Sequence, residues 1–257
     1  ASGMERITLC PGSWQLEQKI GRKIPSDVAE AGTRIHAALA LEISPDSLNE
    51  DERECYERCL RLHENVMLQI FGDGAAGMVV TKREDRLWSY VMQFSGKADV
   101  IHIHGEAALI LDFKTGRGEV ESASGNQQLR ALAVLLFLNH TPLKRITVGI
   151  IQPWASPSVS LCTYSIGDLI TAHDEMLEAL EKARLPFAER IPSEAACKYC
   201  SAAHGCDVAH KFALTGPVTN APTETTPEGL ASALTVGTIA DFLKRAKIGR
   251  ASCRERV

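Results

Sequence analysis

The chain has 257 residues, 45% of them hydrophobic and 23% charged, with 28 basic against 32 acidic side chains and eight cysteines. That length buries a substantial core in one large domain, or in one domain with a small appendage, and the composition excludes collagen-like, disordered and coiled-coil chains. The net charge of −4 argues against indiscriminate adhesion to nucleic acid while leaving room for a local basic site.

The longest apolar run, Ala131 to Leu138, falls far short of the ~20 residues that a spanning helix needs, so no membrane association is expected. No export signal is expected either. The eight cysteines therefore read as thiols or metal ligands in a reducing, cytoplasmic compartment rather than as disulfides. Both termini carry expectations of their own. The first Met is residue 4, so a short preceding piece is expected to be missing. Residues 248–257 (IGRASCRERV) read as the translation of a sequencing-adapter oligonucleotide, with the native chain expected to continue past Lys247. Setting that tail aside leaves 25 basic against 31 acidic residues, a net of −6.

In chain order, a short helix is expected around Cys10, Trp14 and Leu16. Ser26 and Asp27 can cap a helix carrying Val28, Ile35, Ala38 and Leu39 at helical spacing. Asn49 to Ile70 reads as a charged amphipathic helix, broken by Gly72 to Gly77. From Met78 the period changes to two, and strands are expected at about 78–83, 86–94, 97–104 and 107–113. A helix at about 125–139, strands at 146–152 and 158–164 and a long helix at 166–184 follow. This order predicts an α/β fold, a mixed central β-sheet flanked by helices. Residues 194–210 are rich in Cys and His, 213–228 read as a linker, and 229–247 as the start of a further region.

The sharpest feature is the segment from Ser95 to Gly116. If Gly105 and Glu106 form a two-residue turn of type II′, Asp99 stands opposite Asp112 across the hairpin. Like charges so placed destabilise a sheet. Lys114, two residues beyond Asp112, shares its face. The pair suits a divalent cation, Mg²⁺ or Mn²⁺, which polarises a phosphoryl oxygen and acidifies a bound water while the lysine orients that water. The competing reading is an Asp–Lys salt bridge on a solvated strand face. His36 by itself reads as a helix histidine without function, and Trp88 and Tyr90 as strand residues of the core, with base stacking as their alternative. His102 and His104 read as a surface or groove face, Cys55 and Cys59 as buried or half-buried thiols on one helix face, and Cys162 as a strand-core cysteine.

Asp99, Asp112-Phe113-Lys114 and the following Thr-Gly resemble the PD-(D/E)XK nuclease superfamily, specifically its RecB-like branch. Gly32 to His36 resembles the branch's Gly-x-x-x-His element, Gly96 to Asp99 its Gly-x-x-Asp element, and Gln128 the start of its Gln-x-x-x-Tyr element, whose last position here holds Leu132. Gln127 is the alternative glutamine. The resemblance covers residues 4–212 and implies a restriction-endonuclease-like fold and a Mg²⁺- or Mn²⁺-dependent deoxyribonuclease. Asp99, Asp112, Lys114 and Gln128 would be its catalytic residues, with metal held by His36, Asp99, Asp112 and the Phe113 carbonyl. It further implies exonucleolytic processing of single-stranded or end-containing DNA in a bacterial or phage-infected cell, with any unwinding left to a helicase or recombination partner.

Cys197-x₂-Cys200-x₅-Cys206 has metal-ligand spacing. With His210 it makes a zinc site. With Cys10 it makes a four-cysteine [4Fe–4S] site, and that arrangement is similar to the iron–sulfur subset of RecB-like nucleases. Gripping DNA despite the net charge falls to Arg86, Lys97, Arg117 and Arg130, with Lys82 and Arg83 nearby. The alternative to an enzyme is a non-catalytic nucleic-acid-binding or scaffold module of the same fold, with zinc at the cysteine patch.

Overall fold

A computed structural model describes residues 2–20, 27–73, 78–118, 120–140, 142–198 and 200–215. The expected cap Ser26, most of the 72–77 break, the region 229–247 and the adapter-like tail lie outside the described residues, as does the expected linker beyond Thr215. The chain divides into two compact units. One comprises Ala1–Met4 and Ile24–Leu177, the other Glu5–Lys23 and Glu178–Val257.

The larger unit contains helices α3 (Asp27–Leu39) and α4 (Glu50–Phe71), strands β1 (Val80–Ser89), β2 (Phe94–His104) and β3 (Ala107–Phe113), helix α5 (Gln127–Asn139), and strands β4 (Arg145–Ile151) and β5 (Val159–Ser165). The strands form a five-stranded sheet in the order β1-β2-β3-β4-β5. All neighbours are antiparallel except β3 and β4, which run parallel because α5 carries the chain across. The fold is thus mixed α/β, a five-stranded mixed sheet flanked by helices.

Strand alternation divides the core into two layers. Ala108 and Ile110 join Ile101, Ile146, Val148 and the α5 residues Leu129, Leu132, Leu135 and Leu136. On the opposite face, Leu109, Leu111 and Phe113 pack with Val100, Ile151 and the α3 and α4 residues Ile35, Leu39, Cys55, Cys59 and Val66. Helix α5 is apolar all round because it is buried almost throughout, which is the expected pattern for a crossover helix. Asn49 starts α4 through a capping box, its side chain accepting from the Glu52 amide at 2.9 Å while Glu52 Oε2 accepts from the Asn49 amide at 3.2 Å.

Three expectations change. The strands read at 78–83 and 86–94 are one strand, β1, that continues through Glu84 despite its φ of +50°. His102 is buried rather than on a groove face, because α4 covers that side of β2 and brings His63 Nε2 to 2.7 Å from His102 Nε2. Trp88 and Tyr90 are not core: they are 41% and 86% exposed at the end of the β1–β2 hairpin.

The smaller unit holds the end of α1 (Met4–Leu9), α2 (Ser13–Ile20), the end of α6 (Ile166–Arg184), α7 (Glu194–Lys198) and α8 (Asp207–Thr215). Helix α6 begins in the larger unit and has the bounds expected for it. Gly12 has no room for a side chain, since a Cβ there would meet the Ala188 carbonyl at 2.4 Å. Its amide donates to the Glu189 carbonyl at 2.7 Å, which docks the Cys10 turn on the segment after α6.

Candidate functional site

The site forms where β3 ends against the middle of β2, beside α3 and the start of α5. Gly105 at φ +58° makes the two-residue turn, and the pairing Val100↔Leu111 through His104↔Ala107 carries the expected register. One step beyond the last pair, Asp99 comes opposite Asp112. There the Phe113 amide leaves the ladder and donates to Asp99 Oδ2 at 2.8 Å.

Asp112 is 4% exposed. Its Oδ1 accepts from Gln128 Nε2 at 3.0 Å, and the Lys114 ammonium forms an ion pair with Oδ2 at 2.6 Å. Apart from that ion pair, Oδ2 has no hydrogen-bond donor among the described residues. Burial pushes this carboxyl upward and the neighbouring Asp99 charge adds to the rise, while Lys114 opposes both. Gln128, not Gln127, is the glutamine that reaches the carboxylates. Asn126 sets its position by capping α5, its Oδ1 accepting from the Leu129 amide at 3.0 Å.

His36 enters from α3, with Nδ1 3.4 Å from Asp99 Oδ2. Gly32, one turn earlier, allows that approach: a Cβ at Gly32 would stand 3.3 Å from Thr115 Oγ1 in the loop after β3. Burial works against charge on His36, but the bond to Asp99, with Asp112 and Glu84 nearby, outweighs it and raises the imidazole above its ordinary value.

Glu84 was not among the expected residues. The β1–β2 register pairs Arg83 with Val100 and Asp85 with Ala98, so Glu84 stands opposite Asp99 at the kink. One ligand atom from each of His36, Glu84 and Asp99 lies within 4.8 Å of the others. Asp112 stands beside this trio rather than within it. Lys97 forms an ion pair with Glu84 and is pushed upward by it. These four side chains, with Gly32, Thr33, Ala37 and Glu42, line an open cavity of about 430 Å³. The strand register is the signal that would have located Glu84; its charged neighbours instead made the kink read as a turn.

The expected DNA-binding residues do not all converge. Lys97 lines the cavity and Arg86 is exposed on the same hairpin, donating to Ser95 Oγ at 3.1 Å. Arg117 follows Lys114 by three positions. Arg130 faces elsewhere, ion-paired with Glu175 at 2.6 Å and lining a separate cavity with Tyr164 and Asp168. Lys82 pairs with Asp85 at 3.4 Å.

In the smaller unit Cys10, Cys197, Cys200 and Cys206 are buried, free thiols lining one small cavity of about 20 Å³. His210 does not line it, and its Nε2 is buried without a hydrogen bond. The Ile191 amide donates to Cys10 Sγ at 3.2 Å and the Ala209 amide to Cys206 Sγ at 3.5 Å. Burial pushes the thiols of Cys10, Cys197 and Cys200 upward, the last to about 11. Such a set is costly to ionise without a cation and matches the donor chemistry of a metal or cluster.

The fold and site thus define a mixed α/β protein with an imidazole, three carboxylates and two lysines gathered where β3 ends against the middle of β1 and β2. Residues 75–247 match the family described as Protein of unknown function (DUF2800), and the chain belongs to that family. No curated protein matches it. Among solved structures, one titled crystal structure of SSO0001 aligns at 15% identity over 79% of this chain and 84% of its own, with a TM-score of 0.35, a likeness too loose to carry an argument. No helix among the described residues is long and apolar enough to cross a membrane.

Proposed function

We propose that the protein is a Mg²⁺- or Mn²⁺-dependent deoxyribonuclease of the PD-(D/E)XK type and RecB-like branch, with a [4Fe–4S] cluster on its four buried cysteines. The observation that carries the reading is the convergence of His36 from α3, Asp99 from β2, Asp112 from β3, Lys114 just past β3 and Gln128 from α5 where β3 ends. An Asp–Lys salt bridge on a solvated face does not bury its carboxylate to 4% exposure or give it a glutamine donor.

The donor set fits a hard cation: carboxylate oxygens suit Mg²⁺ and Mn²⁺, and the imidazole favours Mn²⁺. His36 and Asp99 would hold it, with Glu84 and Asp112 on either side. When bound, such an ion polarises a phosphoryl oxygen and lowers the pKa of water. Lys114 orients the attacking water by donating to it. Gln128 keeps Asp112 facing the site, and the Phe113 amide does the same for Asp99. His36 Nδ1 approaches the same Asp99 oxygen, Oδ2, at 3.4 Å. The substrate class is DNA, single-stranded or with ends, in a bacterial or phage-infected cytoplasm, where a helicase or recombination partner would supply unwinding.

What supports the cluster over the zinc alternative is the donor set: Cys10 lines the same small cavity as Cys197, Cys200 and Cys206, and His210 does not.

Incubation of the purified protein with labelled single-stranded DNA and Mn²⁺ tests the reading. Cleavage is expected, with loss of at least about a hundredfold in Asp112→Asn and Lys114→Ala. Inert wild-type protein, or undiminished cleavage in both variants, would overturn it.

A further inference from the structure

The loops that follow β3 and β4 carry a feature that the metal site does not use. Trp154 lies three residues beyond β4, half-buried against the cluster that includes Phe113 and Ile151. The Arg117 guanidinium lies over its ring at 4.4 Å and the Arg58 guanidinium, from α4, at 4.5 Å. Two cations over one indole repel each other, and an anion on either relieves the repulsion.

The two arginines differ in what they have left to offer. Arg58 spends Nε and one terminal nitrogen on Glu54 Oε1, at 3.1 and 2.7 Å. Arg117 is exposed and pairs with no carboxylate among the described residues. A guanidinium held over an indole by its charge keeps N–H donors free for an anion, the donors that grip phosphate. The loop bearing Arg117 is fixed rather than loose. Gln152 Nε2 donates to the Gly118 carbonyl, the Cys55 thiol meets the Thr115 carbonyl at 3.9 Å, and the Lys114 amide donates to the Ile151 carbonyl at 2.9 Å. Lys114 and Arg117 are three residues apart, at most about 11 Å of chain.

We infer that Arg117, held over the Trp154 ring, is a phosphate clamp that grips the backbone of a single DNA strand beside the candidate metal site, without regard to sequence. The inference rests on the nuclease reading and deepens it: with a negative net charge, affinity must come from a few placed cations, and this is a preformed one.

Fluorescence anisotropy with a labelled oligothymidylate in Ca²⁺ across a salt series tests it, with Mn²⁺ binding measured in parallel. Arg117→Ala is expected to weaken binding about tenfold, the loss of one charge-assisted contact. It should also lower the slope of log K against log salt by about 0.7, one phosphate contact to a single strand, with Mn²⁺ binding unchanged. Arg117→Lys should restore the slope but not the full affinity, because an ammonium lacks the fork. Trp154→Ala should weaken binding while keeping the charge. Wild-type affinity and slope in Arg117→Ala, with the wild type binding DNA, would overturn the clamp alone and leave the stack a structural clip. A wild type that binds no oligonucleotide would overturn the nuclease reading and the clamp with it.

Discussion

Glu84 shows how a single backbone angle assigns a side chain to a site. A non-glycine residue at φ +50° inside a strand is strained by about 1–3 kcal/mol and persists where its surroundings over-determine it. Here the kink turns a carboxylate toward His36 and Asp99, where Lys97 forms an ion pair with it. If Glu84 contributes to cation binding, Glu84→Gln should weaken Mn²⁺ affinity by about tenfold or more in a calorimetric titration while leaving the thermal midpoint close to wild type. An unaltered titration would remove Glu84 from the site. Gly32 makes a different point at the same scale. Its missing side chain is what brings α3 against Thr115, so Gly32→Val should force the helix outward, destabilise the protein by about 1–3 kcal/mol in denaturant titration, and reduce Mn²⁺ binding because His36 moves with it.

Helix α4 lies across β2 and buries a histidine pair whose titration belongs to the packing of the two elements. His63 and His102 share an N···N contact of 2.7 Å, and His102 Nδ1 lies 2.9 Å from Thr81 Oγ1. Burial first, then the Arg83 charge, depresses His63 to about 4; burial, His63 and Arg83 depress His102 to about 3. Both folded values lie below the unfolded 6.5, so as pH falls under 6.5 the unfolded chain takes up protons that the folded one refuses, and stability drops with it. The expected loss approaches about 1.4 kcal/mol per pH unit for each histidine, read as denaturation midpoints between pH 7.5 and 5. A double variant, His63→Leu with His102→Leu, should flatten that dependence, and an unchanged slope would place the acid sensitivity elsewhere. The same pair marks where sequence reading stopped. Local rules sufficed for the β2–β3 register, because Gly105 specifies its turn, for the Asn49 cap, and for the span of α6. They could not say that α4 would cover His102, that Glu84 would continue β1 instead of turning it, or that Trp88 and Tyr90 would sit at an exposed hairpin end. Each of those depends on which element packs where. The candidate site divides likewise: the hairpin carboxylates and Lys114 are local and were legible, whereas Glu84 and the Arg117–Trp154 stack are brought in by the sheet.

Across the whole molecule, the two units differ in how they can be held together. The larger has two continuous apolar layers about its sheet. In the smaller, two buried clusters among the described residues are built from cysteine sulfurs and alanine methyls, Cys197, Cys206 and Ala209 in one and Cys200, Ala202 and Ala203 in the other, edged by Leu16, Ile20 and Val208. Clusters of such small side chains gain from a staple that offsets the ordering of two chain segments, one before and one after the larger unit. Four thiolates on a cluster would join those segments, since Cys10 comes from the first and the other three from the second. Anaerobically purified protein is therefore expected to be brown, with a visible thiolate-to-iron charge-transfer band and about four irons per chain. Cys10→Ser should lose most of the iron and the band, and its smaller unit should become sensitive to proteolysis after Glu178 while the sheet keeps its protection in hydrogen exchange. His210→Ala should keep both iron and colour, because His210 stands outside the thiol-lined cavity. Colourless protein with one zinc per chain, lost in His210→Ala and retained in Cys10→Ser, would replace the cluster by a zinc site and detach Cys10 from it.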